Sequence, residues 1–181
     1  FSLIVMSNSL MGMPPVVVGL LVYLALSRAG PFGVLGLLYT PTAMVIAQTL
    51  LITPIVIALA RQTIEDLNSE YGEYFASLAI GLGHRVRTLL WEGRYGLLTV
   101  GLAGFGRAIS EVGAVMIVGG NIDHLTRVMT TAIALETSKG DLELAMALGI
   151  ILMLLALAVN LLLSFIRPSE RVGKKPTAAS Y

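Results

Sequence analysis

Residues 145–166 read AMALGIILMLLALAVNLLLSFI, and the reading of this stretch decides the fold. With Leu142–Leu144 ahead of it, the block runs to Ile166 and stops at Arg167-Pro168. That is long enough to cross a bilayer, which takes about 20 helical residues. Three further blocks have the same character. Leu3–Leu26 is interrupted by Gly12, Pro14 and Pro15 and is strongest over Val16–Leu26. Pro41–Ala60 carries no charge, with a kink expected at Pro54, whose ring removes a ladder donor. Gly96–Gly120 carries only Arg107 and Glu111. The pattern predicts a single all-α domain over residues 1–181. It is a polytopic transmembrane bundle of four spans, at about 3–26, 41–60, 96–120 and 142–166, with lipid as its surrounding. The competing reading, a large soluble helical core, leaves too little polar surface to cover four such blocks.

Composition agrees. Of 181 residues, 56% are apolar and 13% charged, with a mean hydropathy of +0.84. Soluble domains carry about 25% charge. Twelve Lys and Arg against eleven Asp and Glu leave a net charge of +1, so no basic excess points to nucleic acid. Cysteine is absent and there are two histidines, which removes disulfides, thiolate metal sites and Cys nucleophiles. No metal and no cofactor is expected. The chain starts at Phe1 with neither Met nor a charged leader, and the expectation is that an N-terminal part precedes it.

Orientation follows from the cations. Arg61, Arg85, Arg87 and Arg94 lie in the 61–95 segment, and Arg167, Arg171, Lys174 and Lys175 in the tail, against Arg28, Arg127 and Lys139 in the opposite loops. The 61–95 loop and the C-terminus are therefore expected in the cytoplasm, and the 27–40 and 121–141 loops outside. Gly30-Pro31, Gly33 and Gly36 make the first outer loop rich in turns. Thr126–Leu135 is too short to span and fits a short helix at the outer end of the bundle. The loop of about 35 residues is too long for a mere connection. Thr63-Ile64-Glu65-Asp66 reads as a helix start within it, a Thr cap with an acid after it.

Several motifs in this frame carry a family resemblance. Glu73-Tyr74-Phe75-Ala76-Ser77-Leu78-Ala79, with Leu89 and Trp91-Glu92 downstream, resembles the loop of bacterial ABC importer permeases written E-A-A-x(3)-G-x(9)-I-x-L-P. Tyr74 and Phe75 replace the two Ala, Ala79 the Gly and Glu92 the Pro. Met11–Gly19, Arg28–Gly33, Gly104–Ala114 and Val118–Ile122 occur in the order and spacing of oxyanion importer permeases. The likeness is greatest to tungstate permeases, with molybdate and sulfate relatives behind, and covers about Leu10 to Ile166.

The resemblance implies a MetI-like ABC importer permease fold in a bacterial or archaeal inner membrane, with one or two further N-terminal spans ahead of the Pro-Pro helix. It implies three partners: ATP-binding cassette ATPase subunits, an extracytoplasmic oxyanion-binding protein and a second permease subunit. Its role is a transporter subunit, not an enzyme. The chain has no G-x-x-x-x-G-K-[ST] phosphate cradle, so ATP hydrolysis has to come from another polypeptide. The Glu73 region would couple to the ATPase: Ala76 and Ala79 allow close approach, Tyr74, Phe75 and Leu78 supply apolar anchors, and Glu73, Arg85 and Arg87 supply charge. Packing of the same anchors on the chain's own helix ends is the alternative.

Arg107 and Glu111 lie four apart on one helix face, where ionisable groups at membrane depth need a partner or a wet interior. They are either a polar tie between spans, the preferred reading, or part of the translocation pathway, with Arg107 attracting a dianion. Gly104, Gly106, Ala108, Ser110, Gly113 and Ala114 around them form a small-residue surface for a dimer or bundle contact. His84 reads as solvated, and Asp123 with His124 as too little for a metal. No G-x-S-x-G nucleophile motif occurs. An ion-coupled secondary transporter and a purely structural subunit are the alternatives from other classes; inverted repeats would favour the first, and none is apparent.

Overall fold

The computed structural model describes residues 12–78 and 80–166, with side chains to Leu161. It is helical, 79% of it, and the described residues contain no strand. Among the described residues seven α-helices follow in order: α1 (Pro15–Leu26), α2 (Pro41–Ser77), α3 (Leu82–Glu92), α4 (Arg94–Ile109), α5 (Gly113–Gly119), α6 (Met129–Lys139) and α7 (Leu142–Ile166), with one turn of 3₁₀ helix at Gly33–Leu35.

Among the described residues two helices, α2 and α7, are long and apolar enough to cross a membrane; α4 and α5 qualify as a third span only if taken together. Of the expected 3–26 span, the described portion is α1, whose 12 residues rise about 18 Å, less than a bilayer core; residues 3–11 lie outside the described residues. The expected span over 96–120 is corrected more sharply. It is two helices meeting at 57°, broken at Ser110–Val112.

The 61–95 segment also departs from expectation. Thr63 does not start a helix: α2 runs from Pro41 through Pro54 and on to Ser77, 37 residues or about 55 Å. Hydropathy drops at Arg61, but helix continuity depends on backbone-compatible residues, and no Gly or Pro occurs between Ile55 and Tyr71. Thr63 Oγ1 donates back to the Leu59 carbonyl at 3.0 Å, and Arg61 Nε pairs with Glu65 at 2.7 Å. Within the apolar half, Thr49 and Thr53 hydroxyls donate to the Val45 and Thr49 carbonyls. The short helix expected over 126–135 is displaced to Met129–Lys139.

The core is built on small residues. Ala43, Ala47 and Val118 have no exposed surface and pack with Val22 and Leu26, which ties α1, α2 and α5 together. A Cβ on Gly19 would lie 2.6 Å from the Ala114 Cα, so α1 and α5 touch backbone to backbone. Gly104 similarly admits Val56 and Ile52 of α2. The expected small-residue surface is thus divided: Gly104, Gly113 and Ala114 serve contacts within the chain, whereas Gly106 faces open space. Helix α7, packed mainly on α6, leaves most of its aliphatic length uncovered, as a lipid-facing helix does.

Candidate functional site

Two places in this fold bring polar side chains together. The first is the break between α4 and α5. Ending one helix and starting another leaves orphan carbonyls and N–H groups, which are costly away from water. Several are met by side chains. Gln48 Nε2 of α2 donates to the Ala108 carbonyl at 3.3 Å. The Glu111 carboxylate accepts from the Ala114 N–H at 3.2 Å, at the positive end of α5. Thr130 Oγ1 of α6 donates to the Glu111 carbonyl at 3.2 Å. Glu111 is 4% exposed, and its other carboxylate oxygen lies 3.3 Å from Arg107 Nη2. Arg107 itself is partly exposed.

The arrangement therefore pairs the two charges as expected from their spacing, and adds what the spacing did not show. Glu111 is a helix cap as well as an ion partner, and Gln48 and Thr130 join it from two other helices. An open cleft of about 430 Å³ reaches this place, lined by Gln48, Glu111 and Thr130 among apolar groups that include Leu152 and Leu155 of α7. Chemically the site is a satisfied polar joint. Its carboxylate and its guanidinium are engaged with each other.

The second place is a hairpin made by the polar half of α2 and by α3. From Ala60 to Ser77 the helix advances about 25 Å past its charge-free half. Helix α3 returns along it: Arg85 Nε and Nη2 donate to Asn68 Oδ1 at 2.9 and 2.6 Å, and the Arg85 guanidinium lies 5.4 Å from the Phe75 ring centre. At the base, Gly93 packs against Leu67 and Ile64, and Gly96 against Thr63. The expected coupling residues divide accordingly. Glu73, Tyr74, Ala76, Leu78 and Arg87 are exposed. Phe75 is buried, and Arg85 is held inside the hairpin as its fastening. Ala79 lies outside the described residues.

What the sequence reading did not find is an apolar stripe on α3. Leu82, Val86 and Leu90, spaced four apart, are exposed on one face while Leu89 faces inward. The signal was the 3.6-residue period itself, masked by Gly81 and Gly83 on either side of the first anchor.

Elsewhere, His84 is exposed, and His124 and Asp123 are an exposed pair 3.7 Å apart. Asp123 is engaged by Arg127 at 2.8 Å. Tyr39 Oη donates to Tyr23 Oη at 3.4 Å. That bond first, and desolvation second, raise the Tyr39 hydroxyl above the ordinary tyrosine range.

Long apolar helices, a polar joint inside the bundle and a rigid polar hairpin beyond it define a multi-pass membrane protein. No protein-family model matches the chain, and no solved structure matches it significantly. Curated proteins do. The tungstate uptake system permease protein TupB of Peptoclostridium acidaminophilum is 46% identical over 152 residues, covering 84% of this chain and 67% of the relative. A Haloferax volcanii protein named as a probable anion ABC transporter permease is 46% identical over 158 residues, covering 84% and 68%. The TupB of Campylobacter jejuni is 42% identical over 147 residues, covering 81% and 62%. The chain spans about two thirds of the length of these relatives. It belongs to the family of ABC transporter permeases of the oxyanion type.

Proposed function

We propose that this chain is the membrane-spanning part of an ATP-driven importer of tungstate in a bacterial or archaeal plasma membrane. The observation that carries the reading is the 46% identity, over 84% of the chain, to a permease named for tungstate uptake. The molybdate and sulfate alternatives have no comparable support. In this reading the chain supplies the four spans expected above to a MetI-like permease, which pairs with a second copy and receives its anion from an external binding protein. ATP is hydrolysed by separate ATPase subunits.

The hairpin of α2 and α3 is then the cytoplasmic coupling element. Its exposed Glu73, Tyr74, Ala76, Leu78 and Arg87 are joined by Leu82 and Val86 at the tip, and apolar anchors ringed by charge suit a dry protein contact. Phe75 and Arg85 act one layer back, by fixing α3 on α2. Support for this role comes from the continuity of α2 from Pro41 to Ser77, since one helix carries a displacement at its tip into the membrane segment without a loop at Arg61 to absorb it. Arg107 and Glu111 are read as the tie, because Glu111 is committed to Arg107 and to the N-terminus of α5.

Reconstituting the full-length permease with its ATPase and binding protein tests the substrate. Uptake of labelled tungstate should persist against excess sulfate and fall with excess unlabelled tungstate. Preferential uptake of sulfate or molybdate would overturn the tungstate assignment, and uptake that continues without ATP would overturn the importer class.

A further inference from the structure

At the base of the hairpin, where α3 hands over to α4, Arg94 is flanked by two aromatic rings. Its guanidinium carbon lies 4.6 Å from the Trp91 ring centre and 4.5 Å from that of Tyr95. Nη1 donates to the Trp91 carbonyl at 2.6 Å, and Nη2 reaches Tyr95 Oη at 3.5 Å. The group is surface-exposed, with Trp91 at 66%. Among the described residues no carboxylate pairs with Arg94. Arg61 pairs with Glu65, Arg107 with Glu111 and Arg127 with Asp123, and Arg85 is held by Asn68. The two rings and these bonds hold the fork in place at the surface with N–H groups to spare, an arrangement suited to a phosphate oxygen pair.

Depth supplies the ligand. Gly93 and Gly96, which flank Arg94 and Tyr95, pack against Leu67, Ile64 and Thr63 of α2. Those residues lie three to seven positions past Ala60, hence about 5–10 Å beyond the charge-free half of α2. A hydrocarbon core of about 30 Å is flanked by headgroup layers that bring the bilayer to about 40–45 Å. Each headgroup layer is then about 5–7.5 Å deep, so the Arg94–Tyr95 end of the cluster falls within it and Trp91 at its outer edge, the zone in which Trp and Tyr rings settle.

We propose that Trp91, Arg94 and Tyr95 form a binding site for the phosphodiester of an anionic phospholipid. An uncompensated cation at that depth selects a headgroup of net negative charge over a zwitterionic one. The bound lipid would hold the base of the hairpin at fixed depth while its tip is free to engage a partner. The site depends on the chain being a membrane protein and not on the tungstate or ATPase assignments.

Trp91 is the single tryptophan of the 181 residues, so its fluorescence reports on the site directly. The full-length permease, without its partners, would be reconstituted in phosphatidylcholine brominated at the upper acyl positions, with increasing unbrominated phosphatidylglycerol. A Trp91→Phe protein supplies the background of any other tryptophan. Phosphatidylglycerol should relieve the quenching with a preference of about five-fold over phosphatidylcholine. Arg94→Gln should bring the ratio to about one, and Arg94→Lys should keep part of it. Inorganic phosphate at about 10 mM should change nothing. Failure of brominated lipid to quench Trp91 would place the cluster away from the bilayer. An equal ratio in wild type and Arg94→Gln would make it a generic aromatic belt, and a response to free phosphate without lipid preference would make it a soluble-anion site. Each of these refutes the proposal.

Discussion

Arg107 and Glu111 can be removed singly or together, and the geometry sets a different cost for each. Arg107→Gln leaves a carboxylate that is 4% exposed with one remaining hydrogen-bond donor, the Ala114 N–H. Stranding a buried charge costs about 3–5 kcal/mol. The lower end applies here, because the N-terminus of α5 still favours an anion. Glu111→Gln is milder. Its amide oxygen can keep the bond to Ala114, and Arg107, whose side chain is 37% exposed, can turn to water. About 1 kcal/mol is expected, the value of a partly exposed pair. The double variant has no stranded charge and should resemble Glu111→Gln alone. The predicted order of damage is therefore Arg107→Gln well above both others, with a coupling energy of about 2 kcal/mol or more in the cycle.

Thermal unfolding of the detergent-solubilised permease, followed by size-exclusion recovery after heating, measures this order. Uptake in vesicles adds the functional arm. In the tie reading, transport recovers in the double variant along with stability. A double variant that assembles normally yet transports nothing would assign Arg107 to the anion pathway. Glu111→Gln more damaging than Arg107→Gln would refute the burial argument itself.

Four other outcomes are expected. Cysteine placed at Ser69 should be protected from an impermeant thiol reagent in intact cells and cysteine at the exposed Asp123 should react; the reverse pattern would invert the orientation and remove the coupling role. Leu82→Asp, at a position 78% exposed, should leave the fold intact yet lower co-purification of the ATPase by about ten-fold or more, and undiminished association would move docking elsewhere. Gly19→Ala should lower stability by about 1–3 kcal/mol, because its Cβ would meet the Ala114 backbone, which cannot yield as a side-chain end can; an unchanged melting temperature would mean that α1 and α5 do not touch in this way. Tyr39 should ionise above the ordinary tyrosine range, near 10, in an absorbance titration, and Tyr23→Phe should bring it down. Since the folded state holds that proton more tightly, the stabilisation is complete below the unfolded value and is lost as pH rises through the folded one.

How much of this was legible in the chain depends on what each physical signal averages over. A span is a sum over about twenty residues, and the aliphatic runs that became α7 and the first half of α2 stood out at once. A helix break is decided by three residues. Ser110, Glu111 and Val112 lie between small apolar groups, and a hydropathy window that covers them reads one continuous block. The clue to the break was local chemistry: an acid two residues before Gly113, able to cap a new helix. Spacing alone did pair Arg107 with Glu111, because the last turn of α4 keeps the geometry of an uninterrupted helix up to that point. It did not bring in Gln48 or Thr130, which come from far along the chain and share no pattern with the pair.

The opposite error occurred at Arg61. There the change from apolar to charged residues was taken as the end of an element, although it marks only a change of solvent. Nothing in Arg61–Tyr71 disfavours a helix, so the backbone continues across the boundary. This has a mechanical meaning within the proposed role. Gln48, which holds the Ala108 carbonyl at the broken joint, and Ser77, at the tip of the hairpin, belong to one helix about 44 Å apart along its axis. A loop at Arg61 would absorb a push on the tip, whereas an unbroken helix shifts or tilts as a body. At the joint at 110–112 the backbone direction does change, and it is there that side chains from α2 and α6 converge on the broken ends.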